Sequence, residues 1–158
     1  MILDSGNRST FGTGATRDIQ DGKGRPSLMP LEVVSALLGG HLTGGDSILH
    51  NIHAFLRSKK TTHLYAALND FAKIAFEGSV ETMLLEVSVH FEEGAKKYGP
   101  NNWRKGLPVL CYMDSAIRHY LKWRRGDKDE NHNRAFVWNV MACVWEVDYH
   151  GKNKEDIA

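Results

Sequence analysis

The chain of 158 residues contains only two cysteines and four prolines. Cys111 and Cys143 sit in apolar helical patterns with no second cysteine close to either, which excludes zinc-knuckle spacing and the CxxC redox motif. Both read as small core residues in a reducing cytosol. An excess of one charge is also missing, since 20 Lys and Arg face 19 Asp and Glu for a formal net charge of +1. Without a global field, any polyanion site must be a local cluster, and nonspecific DNA binding is disfavoured. No apolar run approaches the roughly 20 residues of a membrane-spanning helix. The opening MILDSGNRST lacks the basic-then-apolar order of a targeting segment, so a cytoplasmic location is expected. What is present, 42% hydrophobic and 25% charged residues, is the profile of one globular domain.

Alternating strand patterns of useful length are absent, and helix signals follow one another. Residues 1–30 carry Gly, Ser, Thr and basic side chains without a sustained period and read as an irregular basic arm. Residues 31–78 hold LEVVSALL and then two segments, DSILHNIHAFLRSKK and HLYAALNDFAKIAF, that form a helical hairpin. Residues 79–149 hold the core helices, and 150–158 form a tail. The fold class is all-α, a bundle of about five to six helices.

Along the helix from Ser79 to Lys97, Val80, Leu84, Val87, Phe91 and Ala95 form the predicted apolar side, with Glu86, His90, Glu93 and Lys97 opposite. Glu92 borders the stripe and is the carboxylate expected to face inward. The next helix starts at Pro108 and closes at Gly126. Its stripe is Leu110, Met113, Ile117, Tyr120 and Leu121, with Asp114 at the edge one turn before Arg118. The last helix begins near Asp127–Asn131 and is apolar on nearly every side, so Asn139 within it needs a partner in the fold or in a ligand.

Glu92, Asp114, Asp129 and His132 are candidates to converge from three helices, where carboxylates hold a hard divalent ion such as Mg²⁺. The alternative makes Glu92 and Asp129 solvated acids and Asp114 simply the partner of Arg118. The loop KKYGPNNWRKG mixes basic, amide and aromatic side chains suited to phosphate and base contacts, or is a solvated connection with Trp103 packed beneath it. Arg17, Lys23 and Arg25 stand among arm glycines that fit neither the P-loop nor the dinucleotide pattern. His50, His53 and His63 show no ligand pattern. The basic-aromatic run Arg118, His119, Tyr120, Lys122 and Arg124 is spread over several helix faces, which argues against nucleic-acid readout.

Four segments in order, FGTGATRDIQDGKGRPSLMP, HFEEGAKKYGPNNWRKG, DSAIRHYLKWRRGDKDE and HNRAFVWNVM, resemble the phage and prophage dATP/dGTP diphosphohydrolase family, related to the all-α MazG-like nucleotide pyrophosphohydrolases. The resemblance covers residues 11–34 and 86–146. It implies Mg²⁺- or Mn²⁺-dependent hydrolysis of a purine deoxynucleoside triphosphate, dGTP or dATP, to the monophosphate and pyrophosphate, by water attack at the α-phosphorus. The setting it implies is phage nucleotide metabolism in the host cytoplasm. It further implies Glu92 and Asp114 as metal ligands, Asp129 or Glu130 as a further ligand or base, and Glu86 as a weaker candidate ligand. Lys97, Arg118, Lys23, Arg25 and the arm's Arg17 would meet phosphates, with Asn102, Trp103 and Asn139 near sugar or base and His119 and His132 in contact with substrate or ligands. A homo-oligomer, dimer or tetramer, is implied too, with residues 35–80 as an insertion that serves subunit packing or the base pocket.

The superfamily's paired acids, E-x-x-E and E-x-x-D, fall here at Val89 to Glu92 and Cys111 to Asp114, each without its first acid. That departure keeps open a second reading, a noncatalytic nucleotide-binding or regulatory protein on the same scaffold.

Overall fold

The computed structural model describes residues 6–39 and 45–150, so residues 1–5 of the arm and 151–158 of the tail lie outside it. Six α-helices carry the fold: α1 Leu31–Leu38, α2 Ser47–Ser58, α3 Thr62–Ala75, α4 Val80–Tyr98, α5 Val109–Arg125 and α6 His132–Trp145. The all-α class is thus observed, and α6 runs on into one π-helical turn at Glu146–His150. No described helix is long and apolar enough to cross a membrane.

The helix limits follow from local chemistry. The Asp46 carboxylate accepts the Leu49 N–H at 2.9 Å to start α2, and the Ser79 hydroxyl accepts the Thr82 N–H at 3.0 Å to start α4. Pro108 precedes α5, and Gly126 ends it in the left-handed conformation at φ 87°, where a side chain would be strained. Lys59 makes the tight turn between α2 and α3.

Phe71 of α3 is fully buried and meets Phe76, Tyr120, Trp123 and Phe136 edge-on, with ring centroids 4.5–6.1 Å apart. Asp46 ties the hairpin to α5, accepting from the Tyr120 hydroxyl at 2.5 Å and from Arg124 at 3.2 Å. The α2–α3 hairpin therefore buttresses α5 and α6 from behind. Helix α6 is buried on most of its surface, as its all-round apolar pattern predicts.

Two predicted stripes need correction. On α4 the buried residues are Met83 and Val87, whereas Val80, Leu84, Leu85 and Val89 are exposed; the helix is rotated so that His90 and Phe91 face its neighbours. On α5 the middle is enclosed on almost all sides, Tyr112 to Ile117, while Leu110 at its start is exposed. The arm covers one side of α5, which an amphipathic reading of that helix alone does not anticipate.

The arm is not irregular throughout. Strands β1 Arg8–Thr10 and β2 Thr16–Asp18 pair antiparallel, with Ser9 opposite Arg17. Three-residue strands are too short to show an alternating pattern, and side chains from the bundle hold them in place. Asn102 receives the Thr16 N–H at 3.0 Å and donates to the Thr16 carbonyl at 2.8 Å, acting as a short extra strand. Asp18 accepts from Lys97 Nζ at 3.1 Å and from the Tyr98 hydroxyl at 2.9 Å. Further along, Arg118 donates to Gln20 and to the Gly24 carbonyl, both at 2.6 Å. Asp114 accepts the Ser27 N–H at 2.8 Å and lies 3.4 Å from Arg25 Nε.

Candidate functional site

The docked arm closes a cavity of about 560 Å³ against α4, the loop after it, α5 and α6. From α4 come His90, Phe91, Gly94, Ala95 and Tyr98, at the three- and four-residue spacing of one helix face. Gly94 and Ala95 are small, and their size leaves the space. Helix α6 adds Ala135, Trp138 and Asn139, again one face, and α5 adds Ser115, Arg118, His119 and Lys122. The arm contributes Arg17, Asp18, Gln20 and Lys23, and the loop adds Asn102 and Trp103.

Among these residues four are cations, Arg17, Lys23, Arg118 and Lys122, against the carboxylates of Asp18 and Glu130. Asp18 is already engaged by Lys97. Arg17 Nη2 donates to Asn139 Oδ1 at 2.8 Å, and Asn139 Nδ2 donates to the Ala135 carbonyl at 2.8 Å, which supplies the partners its apolar setting demanded. The guanidinium lies 5.8 and 5.9 Å from the Trp138 and Tyr112 ring centres. Its Nη1 is buried and has no hydrogen-bond partner among the described residues, and burial pulls the Arg17 pKa down. Lys23 is pulled down in the same way, by partial burial before anything else. Phe91 packs edge-on against Trp103, centroids 5.7 Å apart, and leans on Trp138 at 6.0 Å.

His90 is held neutral by burial, its pKa lowered from 6.5 to about 4, with Glu93 opposing the shift and Arg134 and Arg17 adding to it. The unfolded chain takes up this proton near its ordinary value and the native state does not. Its contribution to stability is therefore complete above pH 6.5 and is lost as pH falls towards about 4. The shift corresponds to at most about 3 kcal/mol. Replacing His90 with Leu should flatten the loss of melting temperature over that interval; an unchanged acid profile would show that His90 does not carry it.

The carboxylates expected to gather round one ion are held apart. Glu92 is exposed and bonded to Lys96 at 2.7 Å. Glu86 pairs with Arg134 at 2.6 Å. Asp114 is buried but serves the arm through Ser27 and Arg25 instead of pairing with Arg118. An oxygen-only set of Glu86, Glu92, Asp114 and Asp129 is thus not assembled. What does come together is His119, His132 and Glu130. His119 Nδ1 and His132 Nδ1 are 2.9 Å apart, and Glu130 Oε1 is 3.3 Å from the first and 3.7 Å from the second. Asp129 Oδ1 lies 2.6 Å from His132 Nε2. Burial pushes the His119 pKa well below its ordinary value.

Of the other predicted residues, Lys97 and Asn102 anchor the arm with their polar groups, and Trp103 is part of the cavity wall. Arg25 contacts Asp114 and is not among the lining residues. The sequence reading missed His90, Tyr98, Gln20, Lys122 and Trp138. The repeat His90, Gly94, Tyr98 beside Phe91 and Ala95 was the available signal: an aromatic-edged helix face with small residues in its middle.

The fold and site thus define a helical protein with a cation-lined, aromatic-walled cavity of about 560 Å³. Residues 66–157 match the family described as dATP/dGTP diphosphohydrolase, N-terminal, and the chain belongs to that family. The match spans more than half of the chain and includes α4, α5 and α6. No curated protein and no solved structure matches it.

Proposed function

We propose that the cavity binds a purine deoxynucleoside triphosphate, dGTP or dATP, and that the chain hydrolyses it to the monophosphate and pyrophosphate with Mg²⁺ or Mn²⁺. The observation that carries this reading is the convergence of four cations, Arg17, Lys23, Arg118 and Lys122, on a cavity that Phe91, Trp103 and Trp138 also line. Phosphate oxygens placed there would accept charge-assisted hydrogen bonds from these side chains. The family description agrees with a nucleotide hydrolase.

Arg17 and Lys23 reach the cavity from the arm and Arg118 and Lys122 from α5, so a triphosphate between them would be gripped from two sides. Phe91, Trp103 and Trp138 offer faces and edges for a purine. A divalent ion would neutralise phosphate charge and lower the pKa of the attacking water. The exposed Leu84, Leu85 and Val89 of α4 suit the homo-oligomer that the resemblance implies.

The test is to incubate the purified protein with each deoxynucleoside and ribonucleoside triphosphate, with Mg²⁺, Mn²⁺ or EDTA, and to resolve the products. Monophosphate and pyrophosphate from a purine deoxynucleotide, abolished by EDTA, is the expected result. No turnover with any nucleotide, or diphosphate and inorganic phosphate as products, would overturn it.

Asp114→Asn separates two roles. As an arm anchor, which its contacts support, its loss loosens residues 25–27 and should raise KM about tenfold while kcat stays within a few-fold. Loss of nearly all kcat at saturating nucleotide would return Asp114 to the ligand role that the resemblance implies.

A further inference from the structure

We propose that His119, Glu130 and His132 bind one divalent transition ion, of the Mn²⁺, Co²⁺ or Zn²⁺ kind, in the wall of the cavity. The proposal deepens the nucleotide-hydrolase reading and rests on it for the ion's purpose, though not for its binding.

The chemistry begins with Asp129. At 2.6 Å from His132 Nε2 it claims that nitrogen's proton, which leaves Nδ1 of the neutral ring as a lone pair. This Nδ1 faces His119 Nδ1 at 2.9 Å and Glu130 Oε1 at 3.7 Å, and the carboxylate oxygen is 3.3 Å from His119 Nδ1. Three donor atoms that converge so closely need a hydrogen or a cation among them, either the Nδ1–H of a neutral His119 or a metal ion. A ligating histidine whose other nitrogen donates to a carboxylate is the usual support of a metal site, because it fixes both tautomer and ring orientation.

The location fits a working ion. The His132 side chain is 1% exposed and those of His119 and Glu130 are 19% and 16% exposed, so the donors are shielded without being sealed. His119 and Glu130 line the cavity, and three protein ligands leave a coordination position for a water or a phosphate oxygen. A second acidic group, Asp127 with Asp129 and His132, also lies close together. It is the weaker candidate, because both Asp127 oxygens are occupied by Arg125.

Two imidazole nitrogens and one carboxylate decide the class of ion. Mg²⁺ prefers oxygen ligands and gives up water reluctantly, whereas borderline ions accept nitrogen readily. The nitrogen set also accounts for the dispersal of the four predicted carboxylates, none of which but Asp129 touches this group.

The experiment uses the full chain, stripped with EDTA and dialysed, with no nucleotide present. Titration with Co²⁺ should give one equivalent with visible d–d bands of mixed nitrogen and oxygen ligation, and calorimetry with Mn²⁺ and Zn²⁺ should give the same stoichiometry. Mg²⁺ should bind at least about 100-fold more weakly. Glu130→Gln should reduce Co²⁺ affinity about 100-fold, and Asp129→Asn, which acts through His132, about 10- to 100-fold. Both variants should keep the wild-type circular dichroism spectrum, since neither residue is in the core. Co²⁺ binding that is undetectable, or equal in wild type and Glu130→Gln, would overturn the site and leave a proton-sharing histidine pair. The two readings fail separately: a chain that binds Co²⁺ but turns over no nucleotide refutes only the hydrolase, and one that hydrolyses nucleotide without binding Co²⁺ refutes only this site.

Discussion

Replacing Arg17 with Met is expected to raise the KM for a purine deoxynucleoside triphosphate about 10- to 100-fold, with little change in thermal stability. Charge-assisted hydrogen bonds are worth about 1.5–3 kcal/mol each, and each 1.4 kcal/mol is a factor of ten. Methionine keeps an apolar side chain of similar length while removing the guanidinium that lies over Trp138 and Tyr112. Stability is the informative control because two effects oppose one another there. The bond to Asn139 Oδ1 is lost, which costs about 1–3 kcal/mol, but a partly desolvated charge with an unpartnered Nη1 is removed as well, which is a gain. A mainly structural arginine would show the reverse, a clear fall in melting temperature with KM unchanged. That pattern, measured by steady-state kinetics and calorimetry, would refute the phosphate role.

Arg17 also illustrates how far the sequence could be read. Arg17, Lys23 and Arg25 were legible as cations among glycines, and helices α2 to α6 were legible from periodicity, caps and Gly126. What could not be read was the docking of the arm. It depends on contacts such as Asn102 to Thr16 and Lys97 to Asp18, which join residues roughly 80 positions apart in the chain. Because the arm covers α5, Asp114 and Arg118 both turn towards it and not towards each other. Glu92 lies outside the cavity for a related reason: helical phase alone put it at the edge of an apolar stripe, but the face α4 presents to the cavity is the one with His90, Gly94 and Tyr98. The His119–Glu130–His132 group was equally hard to see, since its members belong to α5, the turn before α6 and the first residue of α6 itself.

Phe71→Ala should destabilise the protein by about 3–5 kcal/mol and lower its melting temperature by roughly 10 °C, while the KM of the folded enzyme at low temperature stays within about twofold. Phe71 is fully buried where α3 meets α5 and α6, and four aromatic rings surround it. Truncation leaves a cavity that rings cannot easily collapse into, because each is held elsewhere: Tyr120 by Asp46, and Phe136 within the enclosed α6. None of the four rings is a cavity-lining residue, so the damage falls on the buttress and not on the site. The distinction bears on what the α2–α3 hairpin does. If it only holds α5 and α6 in place, Phe71→Ala separates stability from binding as stated. If residues 47–75 instead shape the base pocket, KM should rise along with the loss of stability and should differ between dGTP and dATP, because their purine substituents would then meet a displaced wall. Thermal melts paired with kinetics for both nucleotides distinguish the two, and a nucleotide-selective KM change of tenfold or more would refute the buttress.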